Sequence, residues 1–356
     1  MSPRISQHDH PRRSFLAGLA GLGISALTRP LLHAQGLRVR PHRIDIHHHL
    51  FPPNYRSTIA SIGAGNLTAW TTEQSLAEMD KGGIQTSVLS VSPPGIWFGD
   101  AAQSRNLARI INDYGAKMAQ DSPGRFGLFA ALPLPDIEGS LREIEYALDT
   151  LKVEGIGLMT NYGDRWLGDS SFAPVWEELN RRKVVIYTHP NTPTCCTNLK
   201  DEVGPGTIEW ATDTTRTTAS LLFSGTAARY PDIRWILSHG GGTTPFLLSR
   251  FVRQEADMKE REKRLPKGVI YELKKFYYDT AQANHPGALA ALLKLAPISQ
   301  IVYGTDYPYR TAAEENDGLI ASASRPRTCW PSNAATPCGF CRGSRAERIH
   351  KHFTTR

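Results

Sequence analysis

His47 and His49 stand two residues apart in the run Ile44-Asp45-Ile46-His47-His48-His49. Residues i and i+2 of an extended strand share a face, so both imidazoles can reach one metal ion from the strand's C-terminal end. Strict alternation puts Ile44 and Ile46 on one face and Asp45 and His47 on the other. His48 should then point away from its neighbours and pack or form a supporting hydrogen bond. Three further runs end on comparable chemistry: Thr188-His189-Pro190, Ser238-His239-Gly240 and Gly304-Thr305-Asp306. Each residue alone has a plainer reading: His189 as a loop histidine before proline, Asp306 as a turn or helix-cap aspartate. Four apolar runs ending on metal-ligand side chains make a joint site the better account.

The elements that must position these residues alternate. Strands are expected over Ile44–His47, Thr86–Val91, Phe126–Ala131, Gly155–Met159, Val184–Thr188, Ile233–Ser238, Phe276–Asp279 and Ile301–Tyr303. Helical patterns lie between them at Glu73–Lys81, Ala101–Gln120, Ile137–Leu151, Phe172–Arg182, Glu209–Tyr230, Thr244–Lys263 and Pro286–Leu295. Alternation of this kind predicts parallel βα units, and eight of them make an α/β protein of (β/α)₈ TIM-barrel type. An open doubly wound sheet is the alternative, but no G-x-G-x-x-G follows the first strand. In a barrel the sites form at the C-terminal strand ends, where His47, His49, His189, His239 and Asp306 would converge.

These motifs, D-x-H-x-H, T-H-P, S-H-G-G-G and G-T-D-Y-P, resemble the amidohydrolase superfamily. More narrowly they resemble the branch of aminocarboxymuconate-semialdehyde decarboxylase and the hydroxybenzoate decarboxylases, including 6-methylsalicylate decarboxylase. The resemblance covers roughly residues 43–315. It implies that His47, His49, His189 and Asp306 ligate one divalent metal ion and that His239 is the active-site histidine. Three imidazoles and a carboxylate suit Zn²⁺ best, and Mn²⁺ is compatible with such a set. His239 and Asp306 are then the candidates for moving a proton. Strand 4, Gly155-Ile156-Gly157-Leu158-Met159, lacks the lysine that binuclear relatives carboxylate, which implies a single metal. The run Pro245-Phe246-Leu247-Leu248-Ser249-Arg250 resembles one that supplies an arginine to the substrate carboxylate across a dimer interface. A guanidinium matches a carboxylate bidentately, so Arg250 is the substrate-binding candidate and a homodimer is implied. An exposed helix arginine is the plainer reading of Arg250, and Arg165, Arg253 and Arg310 are weaker candidates. Trp97, Phe98, Tyr162 and Trp166 are candidate walls for a flat substrate, and Tyr307-Pro308-Tyr309, which continues the Asp306 loop, is expected to help shape the pocket. Asp45 is expected on the His47 side, either orienting a ligand or bonding buried backbone.

The function implied is non-oxidative decarboxylation of a hydroxybenzoate-like or unsaturated carboxylic acid. The alternative on the same ligands is a hydrolase, such as a lactonase or amidohydrolase, using metal-bound hydroxide. A third reading, a binding or scaffold protein on a degenerate barrel, conflicts with an intact ligand set.

The formal charge of +7 does not indicate a nucleic-acid partner: residues 1–34 carry +3 and residues 321–356 carry +6, leaving −2 for residues 35–320. Arg12-Arg13 before Ser14-Phe15-Leu16, an apolar run to Leu27 and Leu32-His33-Ala34 read as a twin-arginine signal over 1–34. That predicts the twin-arginine export machinery as a partner and a periplasmic chain from about Gln35. The run is too short to span a membrane. An ordinary basic start is the alternative. Residues 35–320 form the expected barrel domain. Beyond Ile320 there is no Leu or Val, and Cys329, Trp330, Cys338 and Cys341 fall in a Ser/Arg/Pro/Ala-rich stretch. Residues 321–356 therefore read as a frameshifted or a disordered tail, with the last barrel helix aberrant or missing. Neither these cysteines nor the adjacent Cys195-Cys196 have metal-site spacing.

Overall fold

A computed structural model describes residues 43–62, 70–197 and 202–324. The proposed signal and the cysteines of the tail lie outside them. Eight parallel strands run β1 (Ile44–His49), β2 (Thr86–Ser90), β3 (Phe126–Ala131), β4 (Gly155–Met159), β5 (Val185–His189), β6 (Arg234–Leu237), β7 (Tyr277–Asp279) and β8 (Ile301–Val302). They pair in sequence order. The seam between β8 and β1 is closed by backbone bonds: the Ile46 N–H donates to the Tyr303 carbonyl at 3.0 Å, His49 N–H to Tyr307 at 2.8 Å and Asp306 N–H to His47 at 2.8 Å. The result is the expected (β/α)₈ barrel.

The strands form because their residues satisfy two faces at once. Inside, Val88, Phe129, Tyr187 and Ile236 fill the barrel, joined by Ile44, Ile46, Val185, Tyr277 and Val302. Phe129 stacks on Tyr187 with centroids 5.4 Å apart. Outside, Ile156, Leu158, Ile186, Trp235 and Leu237 pack beneath the helices. Burying one such side chain contributes roughly 1.5–3 kcal/mol, so the alternation specifies register. In β5 the pattern is regular: Val185 and Tyr187 point inward, and His189 continues that face at the mouth.

In β1 strict alternation fails. Ile46 packs inward with Tyr187, yet so does His47, whose ring lies 5.3 Å from Tyr187. The register against β2 shifts between Asp45 and His48, a β-bulge that turns His47 inward. Asp45 therefore faces away from His47, contrary to expectation, on the side of His48. Its Oδ1 accepts from the His47 and Thr305 backbone N–H groups, each at 3.0 Å. Of the two roles weighed for Asp45, the buried backbone bond is the one observed.

The helices named here are α1 (Pro53–Ser61), α2 (Thr72–Gly82), α3 (Ala101–Asp121), α4 (Ile137–Glu145), α5 (Ala173–Arg181), α6 (Glu209–Phe223), α7 (Leu248–Ala256), α8 (Pro286–Leu295) and α9 (Ala312–Ser324). Start signals are visible in the sequence: Thr71 and Gln74 form a capping box on α2, and Asp100 caps α3. Three expected helices differ. The pattern over 137–151 ends in a π-helical turn, Tyr146–Leu151. The pattern over 209–230 breaks at Gly225, which takes φ +83°, into α6 and Thr226–Arg229. The pattern over 244–263 yields α7 and the short Arg261–Arg264. The closing helix is present: α9 is tied to α2 where the Ala312 N–H donates to Glu78 at 2.9 Å, and Asn316 accepts from Arg43 at 2.9 Å. Among the described residues no helix is long and apolar enough to cross a membrane.

Candidate metal centre and cavity

The five residues expected at the mouth meet there. Asp306 is central: its Oδ1 lies 3.0 Å from His47 Nε2, 3.0 Å from His49 Nε2 and 3.9 Å from His189 Nε2. Its Oδ2 lies 3.4 Å from His239 Nε2 and also accepts from the Gln282 amide. Potential ligand atoms of His47, His189, His239 and Asp306 all lie within 4.8 Å of one another. His49 joins them through its contact with Asp306.

Backbone chemistry places these side chains. His239 and Asp306 adopt left-handed φ values of +52° and +67°. That conformation is uncommon outside glycine and recurs at functional turns. The glycines after His239 make its turn feasible: a Cβ on Gly242 would lie 2.0 Å from the Ala211 carbonyl oxygen. Gly304 lets β8 approach the floor, since a Cβ there would meet His47 Cβ at 2.7 Å.

The donor set fits a metal ion. The Nε2 atoms of His47 and His189 are buried and have no hydrogen-bond partner. Two orphaned imidazole nitrogens facing a carboxylate are costly unless something completes them. The opposite nitrogens are fixed in the way metal-binding imidazoles require. His47 Nδ1 bonds Asp279 Oδ2 at 2.8 Å, His49 Nδ1 the Ser90 carbonyl at 3.2 Å and His189 Nδ1 the Pro190 carbonyl at 2.9 Å.

Charge in the site is uneven. Burial alone would lower the His47 pKa, but the Asp306 and Asp279 carboxylates override it and raise it to about 10. Burial dominates at His49 and His189 and depresses both, His189 strongly. Burial would raise Asp306, yet the charge of His47 and the close approach of His189 and His239 outweigh it and hold Asp306 well below the usual carboxylate range.

Asp279 was not among the sequence candidates. It ends β7, accepts from the His239 backbone N–H at 2.7 Å through Oδ1 and holds His47 through Oδ2. Its position at a strand end was the available signal, but a single Asp after two tyrosines carries no motif. Gln282 was also missed. His48 points away as expected, stacking on Tyr307 at 4.8 Å and contacting Asp45 at 3.2 Å and Ser75 at 3.1 Å.

The cluster opens on one side. The side chains of His47, His49, His189 and Asp306 are at most 1% exposed, whereas that of His239 is 10% exposed. His239 and Asp306 line a cavity of about 1000 Å³ walled by Trp210, Phe246 and Tyr309, with Arg310 on its wall. The aromatic residues expected there are mostly elsewhere. Tyr162 is buried, its hydroxyl accepting from the Met159 N–H at 3.2 Å, and Trp166 donates to Asp213 at 2.7 Å. Trp97 and Tyr162 line a separate 230 Å³ cavity. Of the residues expected to shape the pocket, Tyr309 belongs to the main cavity. Arg250 is exposed on α7 and does not line it within this chain. Cys195 and Cys196 are free thiols with sulfurs 3.0 Å apart.

A family model described as Amidohydrolase matches residues 44–326. Decarboxylase macB of Penicillium terrestre is 40% identical over 285 residues, covering 75% of this chain and 84% of that protein. The 6-methylsalicylic acid decarboxylase of Penicillium expansum is 32% identical over 275 residues, covering 75% and 85%. Among solved structures, a dihydroxybenzoic acid decarboxylase from Polaromonas sp. JS666, with bound manganese and the inhibitor 2-nitroresorcinol, is similar in fold. It has a TM-score of 0.69 at 22% identity and covers 81% of this chain and 92% of that one.

Proposed function

Because this chain belongs to the amidohydrolase family, we propose that it is a metal-dependent, non-oxidative decarboxylase of a hydroxybenzoate-type acid. The observation that carries the reading is the buried His47–His49–His189–Asp306 cluster opening past His239 and Asp306 into a cavity walled by Trp210, Phe246 and Tyr309. Curated relatives of similar length are decarboxylases, one of them acting on 6-methylsalicylic acid.

His47, His49, His189 and Asp306 would hold one divalent cation. When bound, such an ion acts as a Lewis acid, orienting and drawing charge from a substrate oxygen. We favour Zn²⁺ for this imidazole-rich set, with Mn²⁺, present in the Polaromonas decarboxylase, as the competitor. The chain's own residues do the rest. Asp279 fixes the His47 ring, and Gln282 and the histidines orient Asp306. His239 faces the cavity with a buried Nδ1 that has no partner, so its ring is free to carry a proton to the substrate. Delivery of that proton to the carboxyl-bearing ring carbon lets the C–C bond break. Its electron pair returns to the ring, CO₂ leaves, and solvent reprotonates His239. Trp210 and Tyr309 flank the space a flat ring would occupy.

Three further elements complete the reading. Residues 1–34 act as a twin-arginine signal and the mature enzyme is periplasmic. The Ser/Arg/Pro/Ala-rich stretch over 325–356 comes from a frameshifted or otherwise aberrant reading of the gene. The protein is a homodimer, supported by a strongly exposed Phe246, at 83%, beside exposed Val252 and Arg250.

The test is parallel measurement of CO₂ and acid release by metal-loaded protein on a panel of 2-hydroxybenzoates and small lactones. We expect CO₂ without net hydrolysis, and a loss of about 10²–10⁴-fold in His239→Ala with metal retained. Acid release without CO₂ would place the chain among the hydrolases instead.

A further inference from the structure

Among the described residues, the cavity lining contains no lysine and a single arginine, Arg310. The carboxylate that shares the lining, Asp306, is already engaged by four histidines and Gln282. Arg310 is fixed relative to it: the N–H groups of Tyr309 and Arg310 donate to the Asp306 carbonyl at 2.9 and 3.2 Å. The turn that presents Asp306 to the floor therefore also presents Arg310 to the wall.

The Arg310 guanidinium has no hydrogen-bond or ion-pair partner among the described residues. Glu314, four residues on, feels the charge of Arg310 but makes no ion pair with it: its Oε2 accepts from the Thr311 N–H at 2.7 Å and from the Thr311 hydroxyl at 3.0 Å. Arg310 is exposed at the cavity, where its planar guanidinium fork offers a carboxylate a bidentate partner beside Trp210, Phe246 and Tyr309. Arg250, by contrast, lies outside the cavity of its own chain.

We infer that Arg310 receives the carboxylate of the aromatic acid in cis, so that each chain carries its own substrate anchor. This rests on the decarboxylase reading and adds the recognition of its substrate: an aromatic acid bound by its carboxylate from the wall that also carries Tyr309. The carboxylate is lost as neutral CO₂, so an arginine on it stabilises the bound acid more than the transition state. Its removal should fall on KM rather than kcat.

The experiment compares wild type, Arg310→Met, Arg310→Lys and Arg250→Met, all metal-loaded. Turnover of 2-hydroxybenzoates is followed together with calorimetric binding of the same acids and of the corresponding carboxylate-free phenols. Arg310→Met should raise KM and Kd for the acid about tenfold, the size of one charge-assisted contact, and leave phenol binding unchanged. Arg310→Lys should recover part of the loss. A merely structural role would weaken acid and phenol alike and would overturn the inference. So would an unchanged Kd in Arg310→Met, or a loss confined to Arg250→Met, which would assign the carboxylate to α7. Acid binding that depends on Arg310 without CO₂ release from any substrate would sink the decarboxylase reading and leave Arg310 as an acid anchor. No binding of any acid by wild type would sink both.

Discussion

The floor of the cavity and its wall are built on opposite principles. On the floor, Asp306, His47, His49, His189 and Asp279 are buried and contact one another directly. On the wall, Trp210, Phe246 and Arg310 come from separate loops and helix ends, and Phe246 is 83% exposed. Buried polar groups tolerate no missing partner, because each unpaired one costs its full desolvation. Exposed groups are solvated whether or not they are used. The floor is thus a single cooperative unit, while the wall is a set of separable contacts.

The strongest way to break this contrast is at Asp306. Asp306→Asn removes the charge that four histidines converge on, and breaking a buried pair is worth about 3–5 kcal/mol. We expect loss of stoichiometric metal, read by elemental analysis, and a fall in CO₂ release of at least about 10³-fold. Retention of metal and near-normal turnover would mean that the floor is not cooperative. Asp279→Asn tests the next layer. It weakens the grip on His47 and, by the usual cost of a supporting carboxylate, should lower metal affinity or activity about 10–100-fold. A metal titration with the affinity unmoved would show that His47 is oriented by packing on Tyr187 instead.

A smaller effect is expected beneath the floor. Glu315 of α9 is 2% exposed, one of its oxygens has no partner, and burial pushes its carboxyl up from 4.5 to about 9. The repulsion of Asp279 and Asp45 adds to the same direction. With the folded pKa above the unfolded one, the native state keeps a proton that the unfolded chain releases. Stability is then intact below about pH 4.5 and declines as pH rises toward 9. Glu315→Gln should remove that decline, giving a flatter melting temperature between pH 5 and 9 and a gain of about a few degrees at pH 8. Parallel pH profiles for variant and wild type would show Glu315 to be ionised in the fold.

Floor and wall also differed in how far the sequence announced them. His47, His49, His189, His239 and Asp306 were legible because each ends an apolar run, and a barrel brings strand ends to one mouth. Asp279 ends a strand too, but its partner His47 is 232 residues away and no local spacing links them. The wall left still less trace. Trp210 opens α6, Phe246 sits in a turn before α7 and Arg310 follows the Asp306 turn, with nothing periodic between them. Nearby aromatics such as Tyr162 and Trp166 were the better guess from position along the chain. They turned inward or toward Asp213 because those contacts satisfy their hydroxyl and indole groups.

The alternation of strands and helices, hence the barrel, and the five side chains of its mouth can be read along the chain alone. These depend on hydrophobic period and strand ends, which are local properties. The direction in which β1 turns His47 was settled by packing: the bulge that brings it inward answers to Ile46 and Tyr187, not to alternation. Packing likewise settled that α9 continues to Ser324, and that Arg310 rather than Arg250 faces the cavity of its own chain. Those outcomes depend on which distant groups are left to satisfy a buried charge or fill a void, and no pattern along the chain encodes that.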